Sequence, residues 1–348
     1  DNTDKLDDFM LDCRDMELKV LPPDINRSHH AFTVIDDNSV LYGLGALKGV
    51  GHAAIDMIVS DRESNGPFTD LADFCNRADH HKVNKRAMDV LVRSGTLDGL
   101  DPDRNRARML HELPEAIRAA EQYQRDKEAG QVDLFGGASE VSAPQAGEHL
   151  TMRPWTRIQE LQAEKSTLGL FLTGHPVELQ HGDLRRFTTC TLTAVGSKVP
   201  EKQPGRRRSR GVPMVLAGLV RAIRRRGSRG AFVSIEDHTG RMEVSLYDEH
   251  WTLYAELINK GEIIVVEGNA SADEFSGGFK LIAQKVMTLA EAKSKFARGI
   301  QISVRGPVEE ICSSLESTFV PYQNGSARVG LNYSNARARA RLELGEAW

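Results

Sequence analysis

Two glycines flank one apolar residue in the run Leu47-Lys48-Gly49-Val50-Gly51-His52-Ala53-Ala54-Ile55, with Ile58 one turn further on. This pattern makes a tight turn and leaves backbone N–H groups uncovered at the start of the next helix. Such groups, with the helix dipole, hold a phosphate without reading any base. Val50 is expected to plug the turn, and Ala53 and Ala54 to let two helices approach closely. Lys48, Gly49, Val50, Gly51 and His52 are then the candidate contact with a nucleic-acid duplex, the signature of a helix-hairpin-helix. The competing reading is a glycine turn between packed helices that binds nothing. Lys82, Lys85 and Arg86, followed by Leu91-Val92-Arg93-Ser94-Gly95, are a degenerate candidate for a second copy.

A second constellation lies in a stretch of period-two hydrophobicity. Strands are predicted at 214–223, 230–237, 241–247, 263–270 and 279–288, with a helix at 249–258 between the third and fourth. That order is the plan of an OB barrel, whose usual ligand surface lies on strands two and three and the flanking loops. The first hairpin loop carries Arg224, Arg225, Arg226 and Arg229, placed to meet backbone phosphates. On strand two, Ala231, Val233 and Ile235 are predicted to point inward, and Phe232, Ser234 and Glu236 outward. On strand three, Met242, Val244 and Leu246 face in, while Glu243, Ser245 and Tyr247 face out. Phe232, Tyr247, Phe275 and Phe279 are candidate stacking platforms for unpaired bases, with Lys280 beside them. Glu236 and Glu243 are expected on the same face, where they oppose phosphate. A barrel used only as a spacer or protein-binding module is the alternative.

The third constellation is Gln131-Val132-Asp133-Leu134-Phe135, between a helix-ending glycine and a polar linker at 136–150. Full burial of a Leu-Phe pair stabilises by roughly 3–6 kcal/mol. A short motif of this kind docks into a groove on a partner. The pattern matches the pentapeptide that bacterial replication proteins insert into the sliding clamp, and a local hydrophobic contact is the bland alternative.

Catalytic patterns are missing from the sequence. Asp101-Pro102-Asp103 reads as turn and capping residues rather than as a metal platform. His29-His30 and His80-His81 are adjacent pairs whose rings point apart. No Walker A loop, H-E-x-x-H or nucleophile elbow is present. Cys13, Cys75, Cys190 and Cys312 form no C-x-x-C pair, so reduced thiols in a cytoplasmic protein are expected.

These groups must be positioned by more than one domain, since 348 residues exceed the usual size of one. Apolar content of 40% suffices for packed cores, and a net charge of −4 excludes a global basic field. Charge is instead concentrated locally: between Lys198 and Arg229 eleven basic residues face one acid, Glu201, a local net of +10. No apolar run approaches the ~18 residues that span a bilayer, so no membrane is expected as a partner. The chain begins at Asp1, and a piece of something longer is expected. Residues 5–19 read as a helix tail that ends at Pro22-Pro23. A hairpin is predicted over 32–42, glycine-broken helices over 44–100, a long polar helix over 104–129 and another helix over 156–168. Residues 196–212 read as a Gly/Pro/Arg loop, and the last fifty residues as a small α+β unit. The predicted fold class is multidomain α+β: a helical helix-hairpin-helix region, a five-stranded OB barrel and a partial α+β domain.

With those features in order, the chain resembles the C-terminal part of the bacterial DNA polymerase III alpha subunit family, the C-family replicative polymerases. The resemblance rests on Val20-Leu21-Pro22-Pro23-Asp24-Ile25-Asn26-Arg27-Ser28, on residues 43–51 and on residues 131–135. Leu170-Phe171-Leu172-Thr173-Gly174-His175-Pro176 and residues 236–244 add to it. It implies that 1–40 end a fingers-like region, 41–130 bind duplex DNA, and 131–135 bind the clamp. A connector then covers 151–212, and an OB domain for single-stranded template covers 213–290. Residues 298–348 would begin the domain that binds the clamp-loader tau subunit, and tau binding by this truncated piece is not expected to be intact. The family's catalytic site lies upstream, so no catalytic residue, metal or cofactor is expected here, while the parent enzyme is expected to use Mg2+. The implied function is to hold primer-template DNA and the clamp (the beta subunit) at the replication fork in the bacterial cytoplasm. The alternatives are an error-prone alpha paralogue, a stand-alone adaptor built from the same two modules, and an RNA-binding OB module.

Overall fold

The computed structural model describes residues 9–10, 12–13, 16–128, 152–200, 211–227, 230–273, 278–305, 314–315, 317–320, 328–334 and 339–344. The chain divides into two compact units, Asp1–Leu179 and Gln180–Trp348.

The first unit opens with a small sheet. Strand β1 (Lys19–Leu21) pairs in parallel with β3 (Ser39–Leu41), which pairs antiparallel with β2 (Thr33–Asp36). The 32–42 hairpin is therefore present. The helix read over 5–19 is present in part: residues 9–10 and 12–13 are helical, but Lys19 is already in a strand, because β1 finds its partner at Ser39, which local periodicity does not show. A single 3-10 turn, Leu44–Ala46, leads to α1 (His52–Asn65). Helices α2 (Leu71–Arg77) and α3 (Lys85–Arg93) follow. Each starts on a side-chain cap, Asp70 accepting from the Asp73 amide at 2.8 Å and Asn84 from the Ala87 amide at 3.0 Å. These caps satisfy orphan donors of the first turn.

The long helix α4 (Arg106–Glu128) packs on α2 and α3. Helix α5 (Arg157–Leu168) begins at a Thr156/Gln159 capping box and ends at the left-handed Gly169. Its last residue, Leu168, and Leu170 share one core with Ile25, Tyr42, Val50, Ile55, Phe74 and Leu91. The core of this unit is thus assembled from segments on both sides of residues 129–151.

In the second unit, β4 (Val212–Arg225), β5 (Gly230–Glu236), β6 (Arg241–Tyr247), β7 (Ile263–Ala272) and β8 (Phe279–Thr288) form a closed barrel in the order β4-β5-β6-β8-β7. Strand β4 is 14 residues long and serves two partners. Its first half pairs with β7 and its second half with β5. Alternation decides which residues meet inside: Val233 and Ile235, Met242 and Val244, Ile264 and Val266, Leu281 and Ala283. Closure removes every exposed edge, the usual liability of a small sheet. The inserted helix is α9, Asp248–Tyr254, preceded in the chain by three short helices: α6 (Pro176–Leu179, still within the first unit), α7 (His181–Leu184) and α8 (Val195–Lys198). Helix α10 (Leu289–Phe296) follows the barrel and packs on β7 and β8. A separate sheet holds β9 (Gly299–Arg305), β10 (Arg328–Ser334) and β11 (Arg339–Leu344) in the order β11-β10-β9.

Candidate nucleic-acid interface

Gly49 has φ +97°, in the left-handed region that favours glycine, and a Cβ there would touch only Val90 at 3.8 Å. Gly51 is the N-cap of α1, supplies no side-chain hydrogen bond to the first turn, and would meet nothing within 4 Å if it carried a Cβ. The amides at the start of α1 therefore open onto solvent, with the helix dipole behind them. Val50 is buried and plugs the turn, while Lys48, Gly49, Gly51 and His52 are exposed.

Two details differ from the sequence reading. Ala53 is exposed and only Ala54 is buried, because the element before the turn is one 3-10 turn rather than a helix long enough to cover both. The Lys48 amide donates to the Thr167 carbonyl at 2.9 Å, so only its side chain is available to a ligand. His52 is held from two sides, its Nδ1 lying 2.8 Å from Asp56 Oδ2 and its ring 4.3 Å from the His30 ring.

The proposed second copy ends differently. Gly95 also has positive φ, at +80°, but a Cβ there would lie 2.1 Å from Arg106 Nη2. Arg106 is nearly buried and donates to both oxygens of Asp98, at 2.8 and 2.7 Å, with Glu164 3.9 Å away. Burial disfavours its charge, yet the bond to Asp98 and the pull of Asp98 and Glu164 raise its pKa on balance. Gly95 makes room for this guanidinium and is not an open cradle. Sequence reading missed this network, since nothing local links Asp98, Arg106 and Glu164. Asp101 accepts from the Asn105 amide at 3.0 Å and the Asp103 amide at 3.1 Å, the capping role expected of it.

On the barrel, Arg224, Arg225 and Arg226 are exposed at the β4–β5 hairpin, but each has a partner. Arg224 bonds Glu243 at 2.5 Å. Arg225 lies 5.6 Å over the Trp251 ring, and Arg226 lies 6.0 Å over the half-buried Phe232. Glu236 does not face solvent as expected: it is 7% exposed and pairs with Arg221 at 3.2 Å and Arg241 at 3.6 Å. Ser245 is also buried, at 1% exposure, since Phe232 and Ile282 flank it in register. Tyr247 is exposed as expected. Phe279 is partly covered, its ring packing against Gly196 so closely that a Cβ there would sit 2.8 Å away. Lys280 pairs with Asp273 at 3.1 Å.

Arg229, Phe275, the Gln131-Val132-Asp133-Leu134-Phe135 motif and the 136–150 linker lie outside the described residues, as do residues 201–210 of the basic loop. Among the described residues, no three His, Cys, Asp or Glu side chains converge to hold a metal ion. No helix of the described residues is long and apolar enough to cross a membrane.

Comparison with known proteins agrees with both modules. Residues 17–107 match a helix-hairpin-helix motif family, and residues 214–289 match an OB-fold nucleic acid binding domain family. The whole chain is 39% identical to a stretch of the DNA polymerase III subunit alpha of Vibrio cholerae, and 37% identical to those of Pseudomonas aeruginosa and Escherichia coli. In each case all of this chain is covered and 30% of the relative, so the chain spans less than a third of the curated relatives it matches. A solved asparaginyl-tRNA synthetase from Pyrococcus horikoshii shares 27% identity over 23% of this chain and 19% of its own, with a TM-score of 0.21. Along its whole length the chain is similar to one stretch of the bacterial DNA polymerase III alpha subunit, with a helix-hairpin-helix match followed by an OB-fold match.

Proposed function

We propose that this chain is the template-handling part of a bacterial replicative DNA polymerase. It holds primer-template DNA and the sliding clamp while the rest of the parent enzyme adds nucleotides. The observation that carries the reading is the uncapped start of α1 behind Gly49 and Gly51, with the Lys48 side chain beside it. Such a cradle grips the phosphates of product duplex and ignores sequence, as an enzyme that moves along DNA requires. On the barrel, Arg224, Arg225, Arg226, Arg229 and the aromatic residues around them steer the unpaired template. Gln131–Phe135 tethers the chain to the clamp. A weak tether suffices, because the linked partner is present at high effective concentration.

On this reading the polymerisation reaction, its Mg2+ and any contact with tau are assigned to the parent enzyme, since this chain spans 30% of its curated relatives. The cytoplasm is the compartment this role implies. Changing Leu134 and Phe135 to Ala tests the tether. Clamp binding should be lost while affinity for short primed DNA stays within about twofold, since a linear docking motif serves the partner's groove and not the DNA contacts. Clamp binding that survives the change overturns the motif assignment.

A further inference from the structure

Phe187 and Phe296 stack face to face in the second unit, with ring centroids 5.1 Å apart and planes inclined by 10°. Both rings are only half-buried. Phe187 leaves α7 through a turn closed by its amide on the Leu184 carbonyl at 3.0 Å. Two residues on, Thr189 donates from its amide to Val215 of β4 at 2.7 Å and accepts from the Val215 amide at 2.9 Å. Phe296 ends α10. Lys295 lies 5.1 Å from the Phe296 centroid and pairs with Glu267 of β7. The pair is therefore fixed to the β4–β7–β8 wall of the barrel, away from the β5–β6 surface.

Charge around this pair is asymmetric. Two acids here are ion-paired, Asp183 with Lys293 at 2.7 Å and Glu267 with Lys295, while the Glu291 carboxylate accepts from the Thr288 amide at 2.8 Å and keeps its charge. The Lys293 bond and charge hold the Asp183 carboxyl below its ordinary range, with Arg186 adding to the pull. Arg185 and Arg186 are exposed, and neither forms an ion pair within 4 Å among the described residues, although Arg186 lies close enough to feel the charge of Asp183. On the usual ligand face Arg224 is engaged by Glu243 and Lys280 by Asp273, while Arg225 and Arg226 meet only the Trp251 and Phe232 rings. Exposed arginines next in the chain to half-exposed aromatic rings supply the two elements of a groove for single-stranded nucleic acid, positive charge and a stacking face.

We propose that Phe187 and Phe296, with Arg185 and Arg186, form a second platform for single-stranded DNA, on which bases stack and two arginines hold the backbone. The inference extends the reading that this chain handles unpaired template, and its test separates the two. The probe is an oligothymidylate titrated with the full chain at several salt concentrations. R185A/R186A should flatten the dependence of log affinity on log salt by about 1.4, two contacts at roughly 0.7 each for single strands. Phe187→Leu keeps an apolar side chain in the packing but removes the ring face, and should weaken binding about tenfold. Retained affinity and slope in both variants, with loss only when Arg224, Arg225 and Arg226 become Ala, overturns the second platform and leaves the barrel face standing. Loss in R185A/R186A with none in the hairpin variant supports the platform and removes the template role from the barrel face. No binding by the unaltered chain overturns both.

Discussion

The backbone amide of Lys48 donates to the carbonyl of Thr167 at 2.9 Å. Lys48 sits in the candidate phosphate turn and Thr167 near the end of α5, with residues 129–151 between their segments. The turn is thus braced by a helix on the far side of the segment that holds the proposed clamp motif. That bond fixes the main chain of Lys48 and leaves its side chain exposed to solvent.

The two glycines of the turn should respond differently to alanine. Gly49→Ala forces a side chain onto φ +97° and should cost about 1–2 kcal/mol of stability, read by chemical unfolding. Gly51 has φ −78° and open space around it, so Gly51→Ala should leave stability within about 0.5 kcal/mol. Its duplex affinity should nevertheless fall, because the new methyl group stands where a phosphate approaches. Equal duplex affinity for Gly51→Ala and the unaltered chain would refute close backbone contact.

Arg106→Met should destabilise the first unit by about 3–5 kcal/mol, since it leaves Asp98 and the fully buried Glu164 without their cation. Thermal or urea unfolding measures this. The folded fraction should bind duplex as before, because Arg106 serves the fold and not the ligand.

How much of this was legible in the sequence follows from the range of each interaction. The barrel strands were, because alternation is written locally: Val233, Ile235, Met242 and Val244 all point inward as expected. So were the capping role of Asp101 and the turn at Gly49–Gly51. Glu236 was misplaced because its outward position by alternation is overridden by Arg221 and Arg241 on neighbouring strands. The β1 strand and the Asp98–Arg106–Glu164 network were invisible for the same reason, their partners lying far away in the chain. Phe187 and Phe296 sit in Arg-Arg-Phe and Lys-Phe runs, a signal that gains meaning only once the fold stacks them.

Burial pushes the Cys75 thiol up to about 12 from its ordinary 9.0, with Asp70 adding to the effect. A raised folded-state value means that this contribution to stability is complete below pH 9 and is lost as pH rises toward 12. Urea unfolding of the chain and of Cys75→Ala across that window should show a steeper decline for the unaltered chain, by up to about 1.4 kcal/mol per pH unit. Parallel pH dependences would show that Cys75 is not the group responsible.

Glu243→Gln frees Arg224 from its carboxylate partner and removes a negative charge from the β5–β6 surface. Single-strand affinity should rise several-fold, in keeping with about 0.2–1 kcal/mol for an exposed ion pair. The salt dependence should also steepen by about 0.7. An unchanged titration would show that this surface does not meet DNA.

The most direct test of the central claim is a titration of primed-template DNA with the chain between about 50 and 200 mM salt. The account predicts linear loss of log affinity with log salt, a slope reduced by about 0.9 in Lys48→Ala, and tighter binding when the sliding clamp is added. Salt-independent binding, or a slope that Lys48→Ala leaves unchanged together with no effect of the clamp, would contradict it.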